Sequence, residues 1–168
     1  MIANEPVAVE TYHSGDNATP TPWAEAATRL ETPDRFWLAT MRSDGTPHAV
    51  PILAVWVNDA LQFVAPRTSL KAANVAGNPR CVVTTNSQGL DLAVKGEVAI
   101  VQNEAQLRQV AAVYESKYSW PVDIRDGACY AEGAPTAGLP PFDIYNVSPS
   151  TAFGFGDDVI LSPTRWRF

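Results

Sequence analysis

The stretch PRTSLKAAN, residues 66–74, sets two cations and two hydroxyls at the end of an apolar run, ALQFVA. A short helix is expected to begin there. The start of a helix exposes unpaired N–H groups and the positive end of the macrodipole, so it draws anions. Arg67 offers a planar fork suited to phosphate, Thr68 and Ser69 offer hydroxyl donors, and Lys71 adds a compact charge one turn in. The same residues serve equally well as an ordinary cap, with Ser69 or Thr68 closing the helix and both cations solvated. Spacing alone leaves the two readings level.

Other chemistries find little support. The chain has no G-x-G-x-x-G, no G-x-x-x-x-G-K-[ST] and no G-x-S-x-G. Asp123, Asp126 and Asp143 lie in or beside a Gly- and Pro-rich segment, and nothing pairs two of them as acid and base. Two histidines, His13 and His48, and two cysteines, Cys81 and Cys129, are too few and too scattered for a zinc site. The cysteines are expected as free thiols, His48 as a surface residue beside a turn, and Trp37 and Trp56 as core. No metal and no catalytic side chain is expected.

The 168 residues are 46% hydrophobic and 18% charged, a globular composition, with a net charge of -6 that disfavours a nucleic-acid partner. No run is long and apolar enough to span a bilayer, and the N-terminal stretch has neither a basic nor an apolar signal region. A cytoplasmic protein is the expectation.

These residues need elements to position them. Residues 1–20 are polar and are expected to form a flexible arm, followed by a single domain over 21–168. TPWAEAATRLETP is expected to be a helix with Thr21 as N-cap, Pro22 at its first position and Trp23, Ala27 and Leu30 on one face. RFWLATMR and HAVPILAVWV flank an Asp-Gly turn, Asn58-Asp59 turns into ALQFVA, and Pro51 argues for an edge or bulge. RCVVTT and LDLAVKGEVAIV follow the short helix, with Gly96 at a bend or bulge. Asn103 with Gln106 fits a capping box opening a long helix, and residues 121–141 read as a loop. FDIYNVSP, TAFGFG and SPTRWRF are expected as closing strands, so the whole is mainly β with helices at its ends.

Taken in order, these elements carry a resemblance that no single motif does. A helix precedes WLATMRSDGTPHAVPILAVW, then ALQFVAPRTSLKAANVAGNPRCVV, then a GEV-containing strand ahead of a long helix. The chain ends in FGFG and SPTRWRF. From Trp23 to Phe168 this resembles the split-barrel flavin-binding family that includes pyridoxamine 5′-phosphate oxidase-like proteins. Within that family it is similar to the actinobacterial flavin- and deazaflavin-dependent oxidoreductases.

The resemblance implies a six- to seven-stranded antiparallel split β-barrel with peripheral helices, paired as a homodimer with cofactor sites along its interface. It implies F420 or FMN as cofactor, with hydride passing between it and a small conjugated or heteroaromatic substrate. By similarity, Arg67, Thr68, Ser69 and Lys71 would hold the cofactor phosphate, and Pro51, Ile52 and Leu53 would line one side of the ring. The tail at Arg165 and Trp166 would approach the site, from its own or from the partner subunit, and Arg42, Arg165 and Arg167 are candidates for the oligoglutamate of F420. Oxidases of pyridoxamine phosphate end in a motif containing Arg-Leu-His; this chain ends in TRWRF, so that vitamer is not the expected substrate. The alternative is a non-catalytic carrier of FMN, F420 or haem with the same fold.

Overall fold

The computed structural model describes residues 5–11, 19–131, 138–156 and 162–168, so His13 and the middle of the Gly- and Pro-rich segment lie outside the described residues. The element order is β1 (Ala8–Thr11), α1 (Trp23–Glu31), β2 (Phe36–Met41), β3 (Pro47–Ile52), β4 (Ala54–Val57) and β5 (Ala60–Pro66). Then come α2 (Leu70–Gly77), β6 (Arg80–Ser87), β7 (Leu90–Ile100), α3 (Glu104–Tyr118), β8 (Asp123–Arg125), β9 (Ala128–Tyr130), β10 (Phe142–Gly156) and β11 (Thr164–Arg167). All pairings between these strands are antiparallel.

Local chemistry sets the turns. Gly45, at φ +82°, closes the β2–β3 hairpin, and the Asp44 carboxylate accepts from the backbone and hydroxyl of Thr46. Asn58 and Asp59 both take positive φ, the requirement of a two-residue hairpin whose twist matches its strands. Asn103 accepts from the Gln106 amide and opens α3.

The sheet runs β3-β2-β6-β7-β10, and β10 also pairs with β5, which pairs with β4. Its two ends, β3 and β4, are consecutive in the chain with only Leu53 between them. The barrel is therefore closed at Leu53 by covalent chain, not by a hydrogen-bonded ladder. That seam is the split. β3 is an edge strand, as Pro51 requires.

Two cores lie on either side of the β4–β5–β10 wall. Inside the barrel, Phe36, Leu38, Phe63, Leu92 and Val147 pack with Trp23 and Leu30 of α1 and with Ala72 and Val75 of α2. Outside, Val55, Val57, Val64 and Ile144 pack against Leu107, Val110 and Tyr114 of α3. Both faces of β5 are thereby covered, which is why ALQFVAP is buried at every position.

Several expectations are corrected. Residues 8–11, assigned to a flexible arm, form β1 and pair with β11 from Ala8↔Arg167 to Thr11↔Thr164. Thr21 does not cap α1: Pro22 is the N-cap, and the buried Thr21 amide donates to Thr164 Oγ1 instead. The expected strands FDIYNVSP and TAFGFG are one 15-residue strand. A bulge between Pro149 and Thr151, opposite Gly96, absorbs the proline without ending the strand. A Cβ on Gly96 would stand 2.3 Å from the Ser148 carbonyl oxygen, so the bulged chain requires glycine there.

Candidate functional site

Ser69 is the N-cap of α2: its Oγ accepts from the Ala72 amide at 3.2 Å and its carbonyl accepts from Ala73. The amides of Leu70 and Lys71, the first two residues inside the cap, have no acceptor among the described residues. The two readings of PRTSLKAAN are therefore not rivals. One hydroxyl caps the helix, and two N–H groups remain free at its positive end.

Lys71 is half-buried and forms no ion pair among the described residues. Burial alone pulls its ammonium below the ordinary lysine range. Arg67 differs. Its Nε donates to both oxygens of Asp143, at 2.9 and 3.0 Å, and this carboxylate raises the guanidinium further. Asp143 is buried and Arg67 is mostly exposed, so the carboxylate acts as an anchor that aims the fork outward. Asp143 stands opposite Ala65 and Phe142 opposite Pro66, which brings the anchor to the last residues of β5.

Two grooves flank α2. One, of about 300 Å³, is lined by Arg67, Asp143, Tyr145, Ala73 and Ile100. The other, of about 750 Å³, is lined by Arg42, Asp44, Leu70 and Asn74. Asn74 Nδ2 donates to the inward-facing Thr40 Oγ1 at 2.9 Å and fixes the helix over the open end of the barrel.

Pro51, Ile52 and Leu53 form the other lip of the split. Pro51 is exposed, Ile52 is buried against the barrel core, and Leu53 is half-buried at the bend. Ala54 stands opposite Phe63, so β3, departing at Leu53, leaves the far end of β5 and the Arg67–Lys71 turn facing an unpaired edge. His48 on β3 is half-buried rather than a free surface residue, and its Nδ1 is buried without a partner.

Within one chain the tail is not brought to this site. Trp166 is fully buried in the barrel core, 5.4 Å from the Trp23 ring, with its Nε1 donating to the Thr21 carbonyl. Arg165 and Arg167 both pair with Glu10, which lowers that carboxyl, so neither is a free cation for an acidic tail. Only Arg42 of the three candidates lines a groove beside α2. Trp37 is half exposed on the outer sheet face rather than in the core, whereas Trp56 packs edge-on to Trp23 at 5.9 Å. Asp143 as the partner of Arg67 escaped the sequence reading because 76 residues separate them. Its only trace is a carboxylate between Phe142 and Ile144 at the start of β10.

A phosphorylated cofactor is what the resemblance implies here, and the donor set fits one. A half-buried ammonium and two helix-start amides, none of them partnered among the described residues, together with an anchored guanidinium supply what a phosphate monoester accepts. Cys81 and Cys129 are free, buried thiols pushed up to about 12 by burial, and no metal-binding cluster occurs among the described residues. No helix among them is long and apolar enough to cross a membrane.

Solved structures share this architecture. An F420 reductase is 24% identical, with 74% of this chain and 93% of that one covered at a TM-score of 0.55. A haem-binding protein from Mycobacterium smegmatis is 14% identical at a TM-score of 0.62, covering 83% of this chain and 56% of that one. A pyridoxamine 5′-phosphate oxidase-related, FMN-binding protein from Nostoc punctiforme is 16% identical at 0.53, covering 83% and 87%. At these identities the likeness is one of fold. No curated protein matches the chain. The family model described as pyridoxamine 5′-phosphate oxidase matches residues 22–154, from the cap of α1 nearly to the end of β10, and the chain belongs to that family.

Proposed function

We propose that this protein is an oxidoreductase that binds F420 or FMN and uses it on a small conjugated or heteroaromatic substrate. The observation that carries the reading is Lys71, a half-buried cation that has no counter-ion among the described residues and stands beside two helix-start amides with no acceptor among them. When bound, either cofactor supplies the hydride chemistry itself. This chain's part is to hold the phosphate with Lys71, Ser69, Thr68 and the outward side of Arg67. It also presents Pro51, Ile52 and Leu53 as one wall of the ring site and keeps water from the reacting face. Arg42, in the groove along α2, suits an extended acidic tail, which favours F420. Because Trp166 and both tail arginines are engaged within the fold, we do not assign the pyridoxamine phosphate reaction to it.

A homodimer completes the site. The outer face of β4 and β5 is covered by α3, but among the described residues no helix covers that of β2, β6, β7 and the end of β10: Trp37 is 50%, Met41 38% and Phe155 39% exposed there. Grooves of about 580 and 370 Å³ run along this face, lined by Ala39, Met41 and Val82 and by Trp37, Ala93 and Phe155. A second copy is the occupant we propose, and it would supply the opposite wall of the ring site. The two buried free thiols accord with a cytoplasmic setting.

The test is titration of purified protein with F420 and with FMN, read by fluorescence quenching, then reduction of a nitroaromatic or enone probe with the cofactor supplied in its reduced form. Lys71→Ala should weaken the bound cofactor about tenfold, the loss of one charged hydrogen bond. Failure of both cofactors to bind would sink the reading. Binding without turnover would leave the carrier function in its place.

A further inference from the structure

The seam at Leu53 has a polar problem that a hydrogen-bonded barrel would not have. Where β3 gives way to β4, the Leu53 carbonyl and both polar groups of the fully buried Ala54 are left off the ladder. One helix supplies all three. Tyr114 Oη donates to the Leu53 carbonyl at 2.8 Å. Tyr118 Oη donates to the Ala54 carbonyl at 2.8 Å and accepts from its amide at 3.3 Å. Lys117 Nζ adds a third donor, to the same carbonyl, at 3.2 Å.

The spacing explains the reach. Residues 114, 117 and 118 are i, i+3 and i+4, one face of the last turns of α3. The Lys117 ammonium also lies over the Phe36 and Tyr118 rings, 5.1 and 5.2 Å from their centres. Phe36 stands opposite Ile52 on β2, so this one cation reaches across the seam and touches both sides of it. An ordinary packing helix would need apolar groups only. α3 spends a half-buried charge and a fully buried hydroxyl on the backbone of Leu53 and Ala54, with the Tyr114 hydroxyl also 3.3 Å from the Gln62 carbonyl of β5.

We propose that α3 sets the shape of the ring-lining bend, with Lys117 and Tyr118 as positioning residues that act on the cofactor ring through the backbone of Leu53 and Ala54. This rests on the site proposed above, where Pro51–Leu53 form the ring wall and the Arg67–Lys71 turn holds the phosphate. The two halves of the ligand should therefore respond to different residues. Lys117 and Tyr118 govern affinity for the ring; Lys71 governs affinity for the phosphate.

The experiment compares the full-length wild type with Tyr118→Phe, Lys117→Met and Lys117→Gln. Two probes are used: FMN or F420 by fluorescence, and inorganic phosphate by amide chemical shifts of Leu70 and Lys71. Tyr118→Phe and Lys117→Met should each weaken the ring-bearing cofactor about tenfold, the worth of one hydrogen bond, and leave the phosphate response unchanged. Lys117→Gln keeps a donor and should recover most of the loss. Cofactor affinities within twofold of wild type would overturn the proposal. So would a parallel loss of both probes together with a lowered melting temperature, since that is what a purely structural helix gives. Wild-type protein that binds phosphate but neither cofactor would instead overturn the function proposed for the site, and this inference with it.

Discussion

At the residue scale, the two cations of PRTSLKAAN are not equivalent, and their alanine variants should separate. Asp143 is buried with Arg67 as its ion-pair partner. Arg67→Ala strands that carboxylate and should lower stability by about 1–3 kcal/mol, the cost of a buried polar group left unpaired. Adding Asp143→Ala should restore most of it in urea melts. Lys71 is half-buried and unpaired, and burial lowers its pKa, so Lys71→Ala should leave stability unchanged or improve it. Equal losses in the two single variants would show that Asp143 does not depend on Arg67. The clean probe of the anion site is thus Lys71.

At the element scale, α3 ties stability to pH. Lys117 is depressed from 10.5 to about 8, first by burial, against the opposing pull of Asp34 and Glu31. Its unfolded form holds a proton that the folded form has lost between those values, so its contribution rises with pH across that window. Tyr118 works in the opposite sense. Burial raises it from 10.0 to about 12, and its contribution is lost as pH climbs through that range. Denaturant melts of wild type against Lys117→Met should show the wild type gaining relative to the variant from pH 8 to 10.5. A flat difference would mean that the ammonium is solvated. β10 carries its own test: a Cβ on Gly154 would stand 2.7 Å from the Trp166 ring. Gly154→Ala should cost about 1–3 kcal/mol by overpacking, read in the same melts.

At the scale of the whole molecule, the three helices among the described residues are distributed unevenly over a split barrel. α1 and α2 pack into the barrel core, α3 covers the β4–β5 side, and the side formed by β2, β6, β7 and the end of β10 keeps Trp37 and Phe155 exposed. Light scattering should give a dimer, and Trp37→Glu should yield a monomer with weakened cofactor binding, since a buried unpaired charge opposes association. A wild-type monomer at micromolar concentration would leave the ring site without its second wall.

The sequence by itself determined what acts over three or four residues. The Ser69 and Asn103 caps, the Asp44-Gly45 and Asn58-Asp59 turns and the edge position of Pro51 were all legible, because caps and turns are local chemistry. The family pattern was legible too, because the order of such elements survives in the chain. Only the tertiary structure decided what each charge and each aromatic ring would meet. Asp143 reaches Arg67 across 76 residues, Glu10 reaches Arg165 across 155, and Trp166 turns inward where the family resemblance implied a cofactor contact. The pairing of β1 with β11 and of β10 with β5 brings these partners together, and strand pairing carries no record in local spacing. The same holds for α3. Tyr114, Lys117 and Tyr118 read as a helix face, and only the unladdered seam at Leu53 gives their polar atoms something to hold.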